Sequence, residues 1–213
     1  MLKLYDYFRS SACFRVRIAL QLKKLDYETV PIHLINNGGE QSSEFYQKIN
    51  PEQLVPAIQD GNHTLTQSIA IIEYLDEVYP NPPLLPHTPF EKASVRAFAL
   101  AIAADIHPLN NLRVLNYLKK ELNITDDKKN TWYQHWIAKG LSALEKQLTF
   151  SKQSGYFCFG NSPTLADICL IPQLYNAKRF SCDLTPYPIL MKIDSYCQTQ
   201  QAFINAMPKE PVS

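Results

Sequence analysis

Two serines and a cysteine, Ser10, Ser11 and Cys13, stand among three arginines, Arg9, Arg15 and Arg17, in the segment FRSSACFRVRIAL. A serine at a helix start caps the amides that the first turn leaves without partners. The same amides and hydroxyls stabilise a bound anion. If that anion is a thiolate, the site lowers the thiol pKa and makes a nucleophile available near neutral pH. Cys13 is a second candidate nucleophile, but a cysteine just inside an apolar helix reads as a packing residue. A serine-hydrolase reading lacks its G-x-S-x-G elbow. His33, His63, His87, His107 and His135 are scattered without an H-E-x-x-H pair and read as surface or packing residues. His107 is the exception, since it precedes Pro108 near PLNN, where a helix break beside a cleft is expected. The arginines could grip a carboxylate bidentately or form a solvated face. Arg15 and Arg17 are two residues apart and do not share a helix face, so at most one points toward a site built with Arg9.

The elements that must position these residues follow from periodicity. LKLYDY (2–7) reads as a strand and residues 12–24 as a helix with Val16, Ala19 and Leu20 on its apolar face. YETVPI (27–32) is a second strand, which Pro31 places at a sheet edge or brings to an end, and a short helix is expected at 43–48. NPEQLVPAI (50–58) leads into a strand, Asp60-Gly61-Asn62 signals a hairpin turn, and HTLTQ returns. Ser68 is expected to cap a helix over 69–79. This half predicts a small mixed sheet with helices packed on it.

Five prolines in residues 79–89 mark a boundary. Beyond it the period is helical throughout. Val95, Phe98, Ile102, Ile106 and Leu109 predict one helix, Leu112, Leu115 and Leu118 a second, and Trp132 to Leu148 a third. Thr164 followed by Asp167 predicts a capping box opening a helix to about residue 177. A last helical stretch follows Pro188.

The net charge of +1, from 21 basic and 20 acidic residues, gives no general footprint for nucleic acid. No apolar run reaches membrane-spanning length, and five cysteines without a C-x-x-C pattern suggest neither a disulfide framework nor a metal site. The start lacks a signal-peptide pattern, so a reduced cytoplasmic setting is expected.

YDYFRSSACFRVRIAL, NPEQLVPAI, TQSIAIIEYLDE and PTLADICLIPQLYNAKRF together resemble the zeta-class glutathione transferases, from Leu4 to about Pro188. The Ser-Ser-x-x-x-Arg-Val-Arg-Ile-Ala-Leu pattern is specific to that class, whereas the Val-Pro and Gln-Ser pairs are shared by glutathione transferases generally. The resemblance implies an α/β thioredoxin-like N-terminal domain (1–81), an all-α C-terminal domain (88–213), a homodimer and glutathione as cofactor. It places Ser10 and Ser11 beside the glutathione sulfur and the Val55 backbone against its cysteinyl part. Pro56 becomes a cis proline, and Gln67 and Ser68 hold the γ-glutamyl group. Asn110 and Asn111 are expected to approach the cofactor from the second domain. Arg179, with Arg9 and Arg15, is expected on the carboxylates of an acidic substrate. The implied activity is glutathione-dependent cis–trans isomerisation of maleylacetoacetate in tyrosine and phenylalanine catabolism. The alternatives are a transferase or isomerase acting on another small acid such as maleylpyruvate, and a non-catalytic binding protein. Many members carry a cysteine after the two serines; this chain has Ala12 there.

Overall fold

Leu4 and Ile58, both fully buried, mark the middle of a four-stranded sheet in the order β2-β1-β3-β4. The computed structural model describes residues 1–209. Its first elements are β1 (Leu2–Asp6), α1 (Ser11–Leu22) and β2 (Tyr27–Pro31), with β1 and β2 parallel. Parallel neighbours need a crossover, which α1 supplies. Two 3-10 turns (Asn36–Gly38 and Glu40–Ser42) and α2 (Glu44–Ile49) lead to β3 (Ala57–Asp60), which runs antiparallel to β1. β4 (His63–Thr66) closes a two-residue hairpin in which Gly61 takes the positive φ of +57°. α3 (Ser68–Val78) completes the expected thioredoxin-like order, and β2 with its Pro31 lies at the sheet edge as predicted.

The chain divides into two compact units: Met1–Pro83 with Gln200–Ser213, and Leu84–Thr199. The second unit holds α4 (Pro89–Leu100), a π-helical stretch (Ala101–Ile106), α5 (His107–Leu109), α6 (Leu112–Lys120), α7 (Asp126–Ser151), α8 (Leu165–Arg179) and α9 (Pro188–Cys197). α10 (Gln201–Ala206) groups with the sheet unit, whereas the resemblance implies a helical domain over residues 88–213.

α1 also departs from expectation. It was read as amphipathic, yet every residue from Ser11 to Leu20 is buried. The sheet is not its only neighbour, because α3 and α10 pack on it as well. A helix buried all round must satisfy its charges internally. Arg17 does so with Nη1 on Asp6 Oδ1 (2.6 Å), Nη2 on the Phe8 carbonyl (3.1 Å) and Nε on the Ala206 carbonyl (3.0 Å). It thereby ties the end of β1, the β1–α1 loop and α10 to one side chain. At the other end of α1, Lys23 Nζ donates to Asp76 (2.5 Å) and to the Tyr79 and Pro82 carbonyls (both 2.6 Å).

In the helical unit the predicted capping box is present. Thr164 Oγ1 accepts from Ala166 N, while Asp167 accepts from Thr164 N (2.8 Å) and also from Cys158 N (2.7 Å) in the preceding loop. Glu145 of α7 performs a similar service at a distance. Its two carboxylate oxygens accept from Ile189 N (2.9 Å) and Leu190 N (3.0 Å), in the first turn of α9. Within the helical run over residues 95–109 the helix widens into the π stretch. There α7 supplies Gly140, where a Cβ would lie 2.2 Å from the Ile106 side chain.

Candidate active site

Ser10 is the N-cap of α1, with extended backbone, and its Oγ accepts from Cys13 N at 3.2 Å. Its own amide donates to the Tyr7 carbonyl at 2.9 Å. The acceptor side of the hydroxyl is thus used by the protein. Among the described residues its proton has no acceptor, and Ser10 is only half-buried. Ser11 follows as the first helical residue and is buried. A helix N-terminus with a spare hydroxyl donor is suited to an anion.

Cys13 is not the nucleophile. It is fully buried in a cluster with Tyr5, Tyr7, Ile32, Tyr46, Val55 and Ala57, and its sulfur accepts weakly from Tyr7 N at 3.4 Å. Burial, reinforced by the Asp6 carboxylate, pushes its thiol well above the ordinary range. Ala12 is itself buried.

The loop before β3 is built to present backbone. The Val55–Pro56 bond is cis, as expected, and a second cis bond, Asn81–Pro82, was not foreseen. Tyr46 Oη and Asn50 Nδ2 both donate to the Leu54 carbonyl at 2.7 Å, and Asn50 Oδ1 accepts from Glu52 N at 3.0 Å. With Leu54 held from behind, neither the amide nor the carbonyl of Val55 has a partner among the described residues. Such a pair, next to the start of a strand, is suited to receive an extended peptide. Sequence reasoning overlooked Tyr46 and Asn50. The available signal was Asn50-Pro51, a turn-forming dipeptide directly ahead of the Val-Pro pair.

The expected cap of α3 needs correction. Ser68 is the first helical residue, and the N-cap is Gln67, whose φ of +67° is unusual for a non-glycine residue. Gln67 makes no side-chain cap; it reaches instead to Glu52 Oε2 at 2.9 Å, in the loop that carries Val55. Ser68 Oγ accepts from Arg15 Nη1 at 3.3 Å. The N-terminus of α3 therefore has no side-chain cap, and the Ser68 proton has no acceptor among the described residues.

The three arginines thus have separate surroundings. Arg17 is structural, as described. Arg15 is only 1% exposed and lies behind Ser68. Arg9 is exposed, with its guanidinium 5.0 Å from the centre of the Phe8 ring.

Three further predicted residues belong to the helical unit. Asn110 is buried, with Nδ2 donating to the Tyr133 carbonyl (3.3 Å) and Oδ1 without a partner among the described residues. Asn111 spends its side chain capping α6, accepting from Arg113 N at 3.1 Å. Arg179, the last residue of α8, is exposed and meets Asn176 Oδ1 at 3.4 Å. The helix break expected near His107 is the π stretch and short α5, after which the chain leaves helix at Asn110. Among the described residues no group of three or more His, Cys, Asp or Glu is placed to hold a metal ion, and no helix is long and apolar enough to cross a membrane.

A β-α-β-α-β-β-α sheet unit with a capping serine at the first helix, followed in the chain by a helical unit, is the architecture of the glutathione transferases. Residues 1–77 match the family described as glutathione S-transferase, N-terminal domain, and residues 133–191 match glutathione S-transferase, C-terminal domain. The chain is 50% identical to a probable maleylacetoacetate isomerase of Vibrio cholerae, over 97% of this chain and 95% of that protein. A holo structure of a bacterial zeta-class maleyl pyruvate isomerase superposes with a TM-score of 0.94 at 43% identity, covering 97% of this chain and 96% of the other. A maleylacetoacetate isomerase from Methylobacterium extorquens, solved with bound malonate and GSH, superposes with a TM-score of 0.93 at 36% identity, over 97% and 96% of the two chains. The chain belongs to the zeta class of the glutathione transferase family, the group that contains the maleylacetoacetate isomerases.

Proposed function

We propose that the protein is a glutathione-dependent cis–trans isomerase that converts maleylacetoacetate to fumarylacetoacetate, working as a homodimer in the cytoplasm. One observation carries the reading. Two serines at helix starts, Ser10 and Ser68, each accept a hydrogen bond, from Cys13 N and Arg15 Nη1, which turns their hydroxyl protons outward to donate. A thiolate and a carboxylate are the acceptors that such positions favour. The unpaired Val55 backbone fits the peptide between them, so the residues present suit glutathione. The relatives described above, one of them solved with GSH, support the same cofactor.

Bound glutathione supplies a thiolate that adds reversibly to the cis double bond, so that the bond rotates before elimination restores it as trans. The chain's own residues do the rest. Ser10, with Ser11 beside it and the first-turn amides of α1, holds the sulfur as thiolate. Free thiols titrate near 8.5, and a helix N-terminus lowers them by about one to several units, each about 1.4 kcal/mol. Ser68 and the uncapped start of α3 hold the γ-glutamyl carboxylate, with Gln67 beside them. Arg9 and Arg179, each exposed within its own unit, are the side chains proposed for the carboxylates of an acidic substrate. Asn110 keeps a carbonyl oxygen open to a donor, whereas Asn111 contributes through its cap of α6.

The test is to follow the trans isomer formed from maleylacetoacetate with and without glutathione. Glutathione-dependent conversion is expected, and its absence would overturn the proposal. The second reading, maleylpyruvate as substrate, draws on the maleyl pyruvate isomerase likeness. A parallel assay with maleylpyruvate decides between them by the larger kcat/KM.

A further inference from the structure

Arg15 was expected to hold the substrate, yet it is the most deeply enclosed arginine of the motif, at 1% exposure. A guanidinium so enclosed does not reach a diffusing acid. It does reach the start of α3. Ser11 and Arg15 stand four residues apart on α1, so they share one face of that helix. The Nη1 of Arg15 donates to Ser68 Oγ at the first residue of α3.

Arginine has donors and no acceptor. Ser68, accepting from Arg15, must turn its single proton away from it. The hydroxyl is thereby fixed as a donor, and the cation behind it makes that donor stronger. We infer that Arg15 is a positioning residue for the cofactor: through Ser68 it sets the affinity for the α-carboxylate of a γ-glutamyl ligand, and it does not touch the substrate. This rests on the glutathione reading above. It separates the two neighbouring arginines of α1 by task, since Arg17 is committed to Asp6, Phe8 and Ala206. It also accounts for the missing cap of α3. A side-chain cap there would occupy the amides that the carboxylate needs.

The distinguishing readout is discrimination between two ligands. The probes are glutathione and its analogue with 4-aminobutanoyl in place of the γ-glutamyl group, which lacks only that carboxylate. Binding of each is measured by calorimetry for the wild type, R15M, R15K and S68A. The wild type is expected to prefer glutathione strongly. R15M and S68A are expected to lose about tenfold or more in glutathione affinity while binding the analogue as the wild type does. In turnover, KM for glutathione rises in R15M while KM for the acidic substrate stays unchanged. Equal loss for both ligands, or no loss, would overturn the inference, as would a raised KM for the acidic substrate alone. If R15M does not fold, R15K serves, because lysine keeps a cation and loses the planar fork. A smaller preference for glutathione in R15K supports the inference, and an unchanged preference overturns it. Failure of the wild type to bind glutathione would instead overturn the functional reading on which it rests.

Discussion

Ser10 carries two tasks that one substitution confounds. It caps α1, and in the proposed chemistry it donates to the sulfur. Replacing an N-cap serine with alanine costs about 1 kcal/mol of stability, whereas glycine costs only a few tenths. Neither substitute has a hydroxyl. If Ser10 acts on sulfur, Ser10→Ala and Ser10→Gly lose turnover alike, by about tenfold or more, while Ser10→Gly keeps the higher Tm. The rising limb of the pH–rate profile also moves upward in both, because a thiolate that loses a donor becomes more basic. Turnover that tracked Tm across the two variants would reduce Ser10 to a cap. Cys13 needs no such test of nucleophilicity. Its enclosure among Tyr5, Tyr46 and Val55 pushes the thiol pKa up, so the proposed chemistry, with no protein thiol at position 12, relies on the serines.

Elements were legible where their signals are local. Thr164 and Asp167 sit three residues apart, and that spacing alone predicts the box that the structure shows. The cap of α3 was not legible in the same way. Ser68 looks like an N-cap in sequence, but the +67° φ of Gln67 moves the helix start one residue earlier and frees Ser68 for Arg15. The burial of Arg17 was likewise hidden. It depends on α10, which returns from nearly 200 residues away to cover α1. The Asp167 box allows a pH prediction with an uncommon sign. Burial raises its carboxyl pKa, outweighing the amides of Cys158 and Thr164, which lower it. A raised folded-state pKa means that the folded protein holds the proton more tightly than the unfolded chain. Its contribution to stability is therefore full below the unfolded value, about 3.9, and declines as pH rises through the folded value. Denaturant titrations of the wild type and Asp167→Asn across that range should show the advantage of the wild type shrinking as pH rises. An advantage that grows instead would mean that the amides outweigh burial. Asp167→Ala, which strands two buried amides, should cost about 2–6 kcal/mol at any pH in that range.

At the scale of the whole molecule, the chain's order along the sequence and its compact units do not coincide. Residues 200–209 group with the sheet unit, after the helical unit has been completed. The link is a buried polar one: Arg17 Nε donates to the Ala206 carbonyl at 3.0 Å, and Arg17 is ion-paired to Asp6 at 2.6 Å with both side chains 9% exposed. Phe203 and Ala206 are buried as well. Removing α10 therefore does more than trim an end. It uncovers α1, the helix that Ser10 caps, and hydrates one side of a buried ion pair. A chain ending at Thr199 should accordingly melt several degrees lower. Its faster amide exchange should appear in α1, some 180 residues from the cut, while the core of α8, where Ile168, Cys169 and Leu170 are fully buried, keeps its protection. Glutathione affinity should fall with it, because Ser10, Ser11 and Arg15 all ride on α1. Exchange that rose only beside the new terminus would show that α10 is a passive appendage. Exchange that rose equally in α8 would show that the two units unfold as one, and either result would sink the assignment of α10 as the back support of the sulfur site.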